Sequence, residues 1–308
     1  MNTEMFLNLV IQNDINCSKD NVAFVDSDGM TGNKSKIWYF KDNNDNNWII
    51  KQYPEWVKET DIKWIHKYMK ELSLKGFPLV STVNRHQQFE NHIYSIYSQA
   101  DGIQYDPENR SHLASMASEL SHLHSLSQDI KIVGNRNWPT VAGFAYEGDN
   151  KLLSQSWDIA SKLLKLDDNI VMPIHGDFRK DNIRFNGNGV SKVFDFGNAR
   201  NDYPEVDLAI TLRDITSDVS EPSDYLQTQR KFLLIYRDSN KELPKISPQM
   251  ICASAIILSI QENSYLLKES LGNDDQALKL AVEKETNHLN FLLDNLVTHL
   301  SLYQDIFK

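Results

Sequence analysis

A chain of 308 residues, 41% of them hydrophobic, is long enough for one large domain or two medium ones and apolar enough to bury a sizeable core. Its formal net charge of −10 argues against electrostatic capture of nucleic acid, which draws on clustered Lys and Arg; the charge suits a solvated surface and is compatible with a cationic substrate. The two cysteines, Cys17 and Cys252, lie far apart with no metal-ligand spacing, so neither a disulfide framework nor a zinc site is expected and a reducing cytoplasm fits best. No basic start followed by an apolar run marks a signal peptide, and the most apolar stretch, Met250 to Ile260, is too short to cross a bilayer, so neither secretion nor a membrane partner is expected.

In chain order, Val22 to Val25 reads as a strand and runs into Asp26 to Lys34, a turn carrying Gly29 and Gly32. Lys36 to Phe40 and Trp48 to Gln52 are rich in aromatic and β-branched residues and flank DNNDNN, a concentrated turn signal, which together predict a hairpin. From Lys58 to Lys75 apolar residues recur at Ile62, Ile65, Met69 and Leu72, a helical period that Gly76 and Pro78 end. Strand-like segments follow at Pro78 to Val83 and His92 to Tyr97. Beyond Gly102 the patterning turns helical at Leu113 to His124, Lys151 to Leu166, Gln249 to Leu267 and Ala277 to Leu302. The expected class is α+β: a small antiparallel sheet with one helix in residues 1–99, then a mostly helical portion in residues 100–308.

The most informative segment is Met172 to Asp207, MPIHGDFRKDNIRFNGNGVSKVFDFGNARNDYPEVD. HGDFRKDN puts Asp177 and Asn182 in one loop, DFG puts Asp195 after a short strand, and DLA supplies Asp207. Phosphoryl transfer asks a protein for an oriented hydroxyl and for metal to neutralise the phosphates, with little covalent chemistry. Asp177 suits the first need, and Asn182 and Asp195, as hard oxygen ligands, suit Mg2+.

This HGD(x4)N loop, the DFG and the trailing DLA resemble the aminoglycoside phosphotransferase and choline kinase superfamily, with similar wording in homoserine kinases and spore-coat kinase-like proteins. The resemblance implies a bilobal, protein-kinase-like fold, a nucleotide cofactor (ATP or GTP) and Mg2+. It places Lys51, in WIIKQY, on the α and β phosphates, beside the alternative of a strand-end lysine reaching solvent. It allows the Gly29 and Gly32 loop to cover the phosphates through backbone amides, beside an ordinary hairpin turn. The helix from Lys58 should supply a glutamate for Lys51; Glu59 is the candidate, although the family position falls nearer His66. Ser98 and Ala100, in IYSQADG, take the hinge between lobes. Arg179 stands where the family places a residue that contacts the γ phosphate, so it is a candidate catalytic group beside Asp177. His175 and Asp207 are expected to brace the loop and His124 to pack in the core.

The partner this implies is a small-molecule hydroxyl substrate: an amino-alcohol, sugar or antibiotic. Gln261, Glu262, Asp274 and Asp275 would floor a site for an amine, or else form a charged helix end. Two other readings stand beside it, a kinase acting on a peptide or protein and a non-catalytic kinase-like binding protein. The intact set of Asp177, Asn182, Asp195 and Lys51 speaks against the latter. A metal-dependent hydrolase is disfavoured because His175 has no partner histidine at ligand spacing.

Overall fold

The computed structural model describes residues 35–82, 86–89, 91–132, 140–141, 143–164, 170–217, 219, 222–273 and 275–308, together with Val10, Asn13, Ile15 and Cys17. The expected strand at Val22 to Val25, the Gly29 and Gly32 turn and Asp274 lie outside the described residues.

The DNNDNN hairpin forms as β1 (Lys36–Lys41) and β2 (Asn47–Gln52), antiparallel with Ile37 opposite Lys51. Its turn is organised by Asp42, whose carboxylate accepts from the backbone of Asn44 and Asn46 and from the Trp48 indole. β3 (Gln87–Phe89) and β4 (His92–Ser98) complete a sheet in the order β1-β2-β4-β3. The expected strand from Pro78 does not form among the described residues. There the chain makes isolated bridges, Leu79 to Val193 and Thr82 to Tyr97, because its backbone divides between two partners: Pro78 O accepts from Val193 N–H at 2.7 Å and Val80 N–H donates to Val193 O, while Ser81 O accepts from Ser98 N–H.

Helix α1 (Glu59–Leu74) buries Ile62, Ile65, Met69 and Leu72 and ends where Gly76 takes φ +82° and Phe77 N–H reaches back to Leu72 O. The helical part comprises α2 (Arg110–Ser127), α3 (Lys151–Leu163), α4 (Pro204–Ile215), α5 (Pro222–Ser239), α6 (Pro248–Ser270), α7 (Gln276–Asp294) and α8 (Leu296–Ile306). Between α3 and α4 run two small antiparallel pairs, β5 (Met172–Ile174) with β8 (Arg200–Asp202) and β6 (Ile183–Asn186) with β7 (Gly189–Val193).

Three helical expectations need correction. The stretch from Ala277 is two helices, broken at Asn295, whose side chain turns back onto Phe291 O. Helices α4 and α5 carry no counterpart in the expected elements. The apolar run at Met250 belongs to a 23-residue helix that is long and apolar enough to span a bilayer by length and composition. It is packed against α3, α4 and α7, with Met250, Ile256, Ile257 and Ile260 buried, as the central helix of the body.

One hydrophobic cluster joins α1 to α2, α4 and α5 through Leu72, Leu120, Phe178, Leu208 and Phe232, so the segment between β5 and α4 is clamped between the sheet side and the helical side. A second cluster, with Leu153, Ile174, Val206 and Ile257, seats β5 on α6.

Candidate active site

The loop after β5 is shaped first by Gly176, at φ +76°. A Cβ there would meet Asn198 O at 2.2 Å, so only glycine lets the two backbones pass. The loop is then fixed by one face of α4. Asp207 accepts from the backbone N–H of His175 at 2.9 Å and of Gly176 at 2.7 Å, the Thr211 hydroxyl donates to Phe178 O at 2.7 Å, and Asp214 accepts from Lys180 N–H at 2.7 Å. Positions i, i+4 and i+7 share a face, so a single helix side holds the loop at successive points.

His175 is fully buried, and its Nδ1 accepts from Asp177 N–H at 3.2 Å while Nε2 lies 3.1 Å from Phe194 O. That pattern assigns the proton to Nε2 and makes the ring a strut between the two loops, as expected. His124, expected in core packing, is buried but also bonded: Nδ1 to the Tyr236 hydroxyl at 2.8 Å and Nε2 to Asp207 at 3.3 Å.

Asp177 is met by Arg179, whose Nε lies 2.6 Å from Oδ1 and whose Nη2 donates to Oδ2 at 3.1 Å. Asn182 gives its amide N–H2 to Asp177, to the backbone O at 2.9 Å and to Oδ2 at 3.1 Å, which leaves its Oδ1 as the atom with lone pairs to offer a cation. The Asn182 carbonyl accepts from Phe194 N–H at 3.0 Å and so ties this loop to the segment that carries Asp195.

Asp195 is a non-glycine residue in the left-handed region, φ 59° and ψ 59°. Such a conformation costs on the order of 1–3 kcal/mol and persists where the surroundings impose it. Here Oδ1 accepts from Lys51 Nζ at 2.6 Å and from Gly197 N–H at 3.2 Å. A Cβ on Gly197 would stand 2.9 Å from that oxygen and 3.0 Å from Nζ. Desolvation in the cleft works against both charges. The pair overcomes it, holding the Lys51 ammonium above and the Asp195 carboxyl below their ordinary ranges, with Asp177 adding to the field at Lys51.

Glu59 does not meet Lys51. Its carboxylate, in the first turn of α1, pairs with Lys63 at i+4 at 2.9 Å and with His86 Nε2 at 2.9 Å, whereas the residue of this helix that meets Tyr97 of the sheet is His66, seven positions later. Ser98 is joined to Ser81, accepting at Oγ from Ser81 N–H at 2.9 Å, and with Ala100, Ile37, Ile49 and Phe194 it lines a cavity of 170 Å³ that also opens onto Lys51 and Asp195.

A second cavity, 530 Å³, opens on the other side of the loop and is lined by Asp177, Arg179, Arg213, Asp214, Gln261 and Glu262. Arg213 is engaged by Glu285, and Arg200, also at this wall, donates to Asp202 at 2.9 Å. Gln261 and Glu262 line the cavity, as the acidic-floor alternative has them, whereas Asp275 caps α7 by accepting from Ala277 N–H at 2.8 Å, as the helix-end alternative has it. Thr211, Asp214 and Arg213 escaped the sequence reading; the signal for the first two was their spacing from Asp207, visible only once a helix is drawn from Pro204.

No curated protein matches the sequence. Among solved structures, amicoumacin kinase hAmiN, in complex with AMP-PNP, Ca2+ and Ami, superposes with a TM-score of 0.72 at 13% identity, over 94% of this chain and 96% of that one. A thermostable mutant of aminoglycoside phosphotransferase APH(4)-Ia gives 0.61 at 11% identity over 89% and 95% of the two chains, and a Plasmodium vivax ethanolamine kinase 0.56 at 14% over 88% and 82%. At these identities the likeness is one of fold, the protein-kinase-like α+β architecture. A profile of the phosphotransferase enzyme family matches residues 31–238, more than half of the sequence, and the chain belongs to that family.

Proposed function

We propose that the protein transfers the γ-phosphoryl group of ATP to a hydroxyl of a small molecule, with residues 1–99 as the nucleotide-binding lobe and 100–308 as the lobe that holds the loop and the acceptor. The observation that carries this reading is the placement of Asp177 and Asp195 on two cross-tied loops, one at the wall of the 530 Å³ cavity and the other beside Lys51 at the mouth of the 170 Å³ cavity.

The residues fit a divalent cation. Asn182 has Oδ1 free of its bonds to Asp177, Asp195 has spent Oδ1 on Lys51 and Gly197 while its side chain stays 39% exposed, and both are the hard oxygen donors Mg2+ prefers. When bound, Mg2+ would neutralise charge on the phosphate oxygens and so favour transfer of the γ-phosphoryl group from the leaving diphosphate to the acceptor oxygen. The protein's own part is positioning. Ser98 and Ala100 border the cavity for the base, Lys51 holds phosphates, Asp177 accepts the hydroxyl proton and aligns the oxygen, and Arg179, already seated on Asp177, meets charge that develops on the transferring group.

A cavity of 530 Å³ is of a size that suits a small acceptor. The structural neighbours, an amicoumacin kinase, an aminoglycoside phosphotransferase and an ethanolamine kinase, support the same class. With Arg179, Arg200 and Arg213 each matched to a carboxylate, Asp214 and Glu262 leave the cavity acidic, which suits an amine-bearing acceptor. The test is ATP consumption with Mg2+ against amino-alcohols, sugars, aminoglycosides and hydroxyl-bearing peptides. Acceptor-dependent turnover should fall about 10²–10⁴-fold in Asp177→Asn. Turnover only with peptides would replace the small-molecule reading, and turnover undiminished in the variant would remove Asp177 from its role.

A further inference from the structure

Once Asp195 turns to a cation, the Lys51 ammonium needs other acceptors, and among the described residues its ion pair is with Asp195 alone. The helix glutamate that would ordinarily serve is missing, since Glu59 is taken by Lys63 and His86. What stands beside the lysine is a chain of aromatic polar groups. The Tyr53 ring lies 5.4 Å from Nζ. Tyr97 is two residues along β4 from Ser95, the cross-strand partner of Lys51, and therefore rises from the same face of the sheet. Its hydroxyl touches that of Tyr53 and lies 3.1 Å from His66 Nε2, on the face of α1 that packs toward the sheet. His66 is 6% exposed; burial and the neighbouring His86 push its ring down to about 4, so it is neutral at pH 7.

We propose that His66 and Tyr97, with Tyr53, are positioning residues that hold Lys51 for the phosphates in place of the helix glutamate. With the His66 proton on Nδ1, which has no partner among the described residues, Tyr97 donates to Nε2 and accepts from Tyr53, and its oxygen then has a lone pair to turn to the ammonium. A neutral acceptor fixes the direction of Lys51 without cancelling its charge, leaving the full positive charge for the nucleotide. A carboxylate would share that charge. The inference rests on Lys51 being the phosphate ligand assigned above.

Calorimetric titration of AMP-PNP with Mg2+ into the full chain tests it, using wild type, Lys51→Ala, Tyr97→Phe, His66→Leu and His66→Gln, each checked for fold by circular dichroism. Lys51→Ala should weaken binding most. Tyr97→Phe and His66→Leu should each weaken it about tenfold, His66→Gln, which keeps an acceptor near the same place, should recover most of the loss, and the acceptor KM should stay unchanged. His66→Glu in the Tyr97→Phe background should restore affinity by returning a carboxylate to that face. Should His66→Leu not fold, Tyr53→Phe removes one hydroxyl from the hydrogen-bonded chain and is expected to give a smaller loss. Tyr97→Phe and His66→Leu binding as tightly as wild type, while Lys51→Ala binds weakly, would overturn the proposal and leave the function standing. Wild-type affinity unchanged in Lys51→Ala would overturn both.

Discussion

Both carboxylate oxygens of Asp207 are buried, and they accept from the backbone of His175 and Gly176 and contact His124. Burial pushes this carboxyl up, but the bond to His124 and the backbone donors hold it below the usual carboxylate range. Because the folded value is the lower one, the stabilisation is fully present above the unfolded value near 4 and is lost as pH falls through the folded value. Asp207→Asn should therefore cost about 2–4 kcal/mol at pH 7, and its deficit against wild type should shrink in melts at pH 3.5; a gap that stays constant with pH would point to packing alone. Glycine positions give a matched comparison. Gly176 and Gly76 share a left-handed backbone, but a Cβ on Gly176 meets Asn198 O at 2.2 Å whereas one on Gly76 meets nothing within 4 Å. Gly76→Ala should cost about 1 kcal/mol for backbone strain alone, and Gly176→Ala should exceed it severalfold and reduce turnover as the loop shifts. Equal losses in urea titrations would mean that the close approach to Asn198 is not a constraint.

At the scale of elements, α4 does for the loop what a single residue cannot, because Asp207, Thr211 and Asp214 repeat along one face at the helical period. Thr211→Val keeps the shape and removes the hydroxyl that bonds both Phe178 O and the Asp207 carbonyl of its own helix, leaving Phe178 O without this donor. The expected outcome is a loss of about 1–3 kcal/mol with a fall in kcat larger than any change in nucleotide KM, measured by melting and steady-state kinetics; a fall confined to nucleotide KM would separate α4 from the acceptor side. Much of this was legible. The hairpin, α1 and the loop with its DFG carry their signals locally, in turn residues, period and spacing. Glu59 misled because sharing a helix face fixes direction around the axis but not how far along the sheet the helix sits. The segment from Pro78 misled because the β-branched residues there suggest one strand, whereas its backbone divides its bonds between Val193 and β4. The role of His66 was half legible, since its position was recognised as the family's glutamate site while the Tyr97 beneath it belongs to a strand 31 residues away.

For the whole molecule the decisive contact is the ion pair of Lys51 with Asp195, 144 residues apart in sequence, which fastens the sheet to the helical body inside the cleft. The same carboxylate is assigned to the cation, so nucleotide with Mg2+ must loosen one link between the two parts while supplying another through the phosphates. A ligand that binds only the folded state adds RT ln(1 + [L]/Kd), about 2.7 kcal/mol at a hundredfold excess over Kd, which for a chain of this size corresponds to a rise of roughly 5 °C in Tm. AMP-PNP with Mg2+ should produce that rise in wild type, and EDTA should remove most of it. Asp195→Ala loses the link in both states: its unliganded Tm should fall, since Lys51 is left in a desolvated cleft without its carboxylate, and its response to AMP-PNP should be small with or without Mg2+. If that variant kept the full Mg2+-dependent shift, the cation would have to be held elsewhere, and Asp195 would be a structural clasp between the sheet and the body.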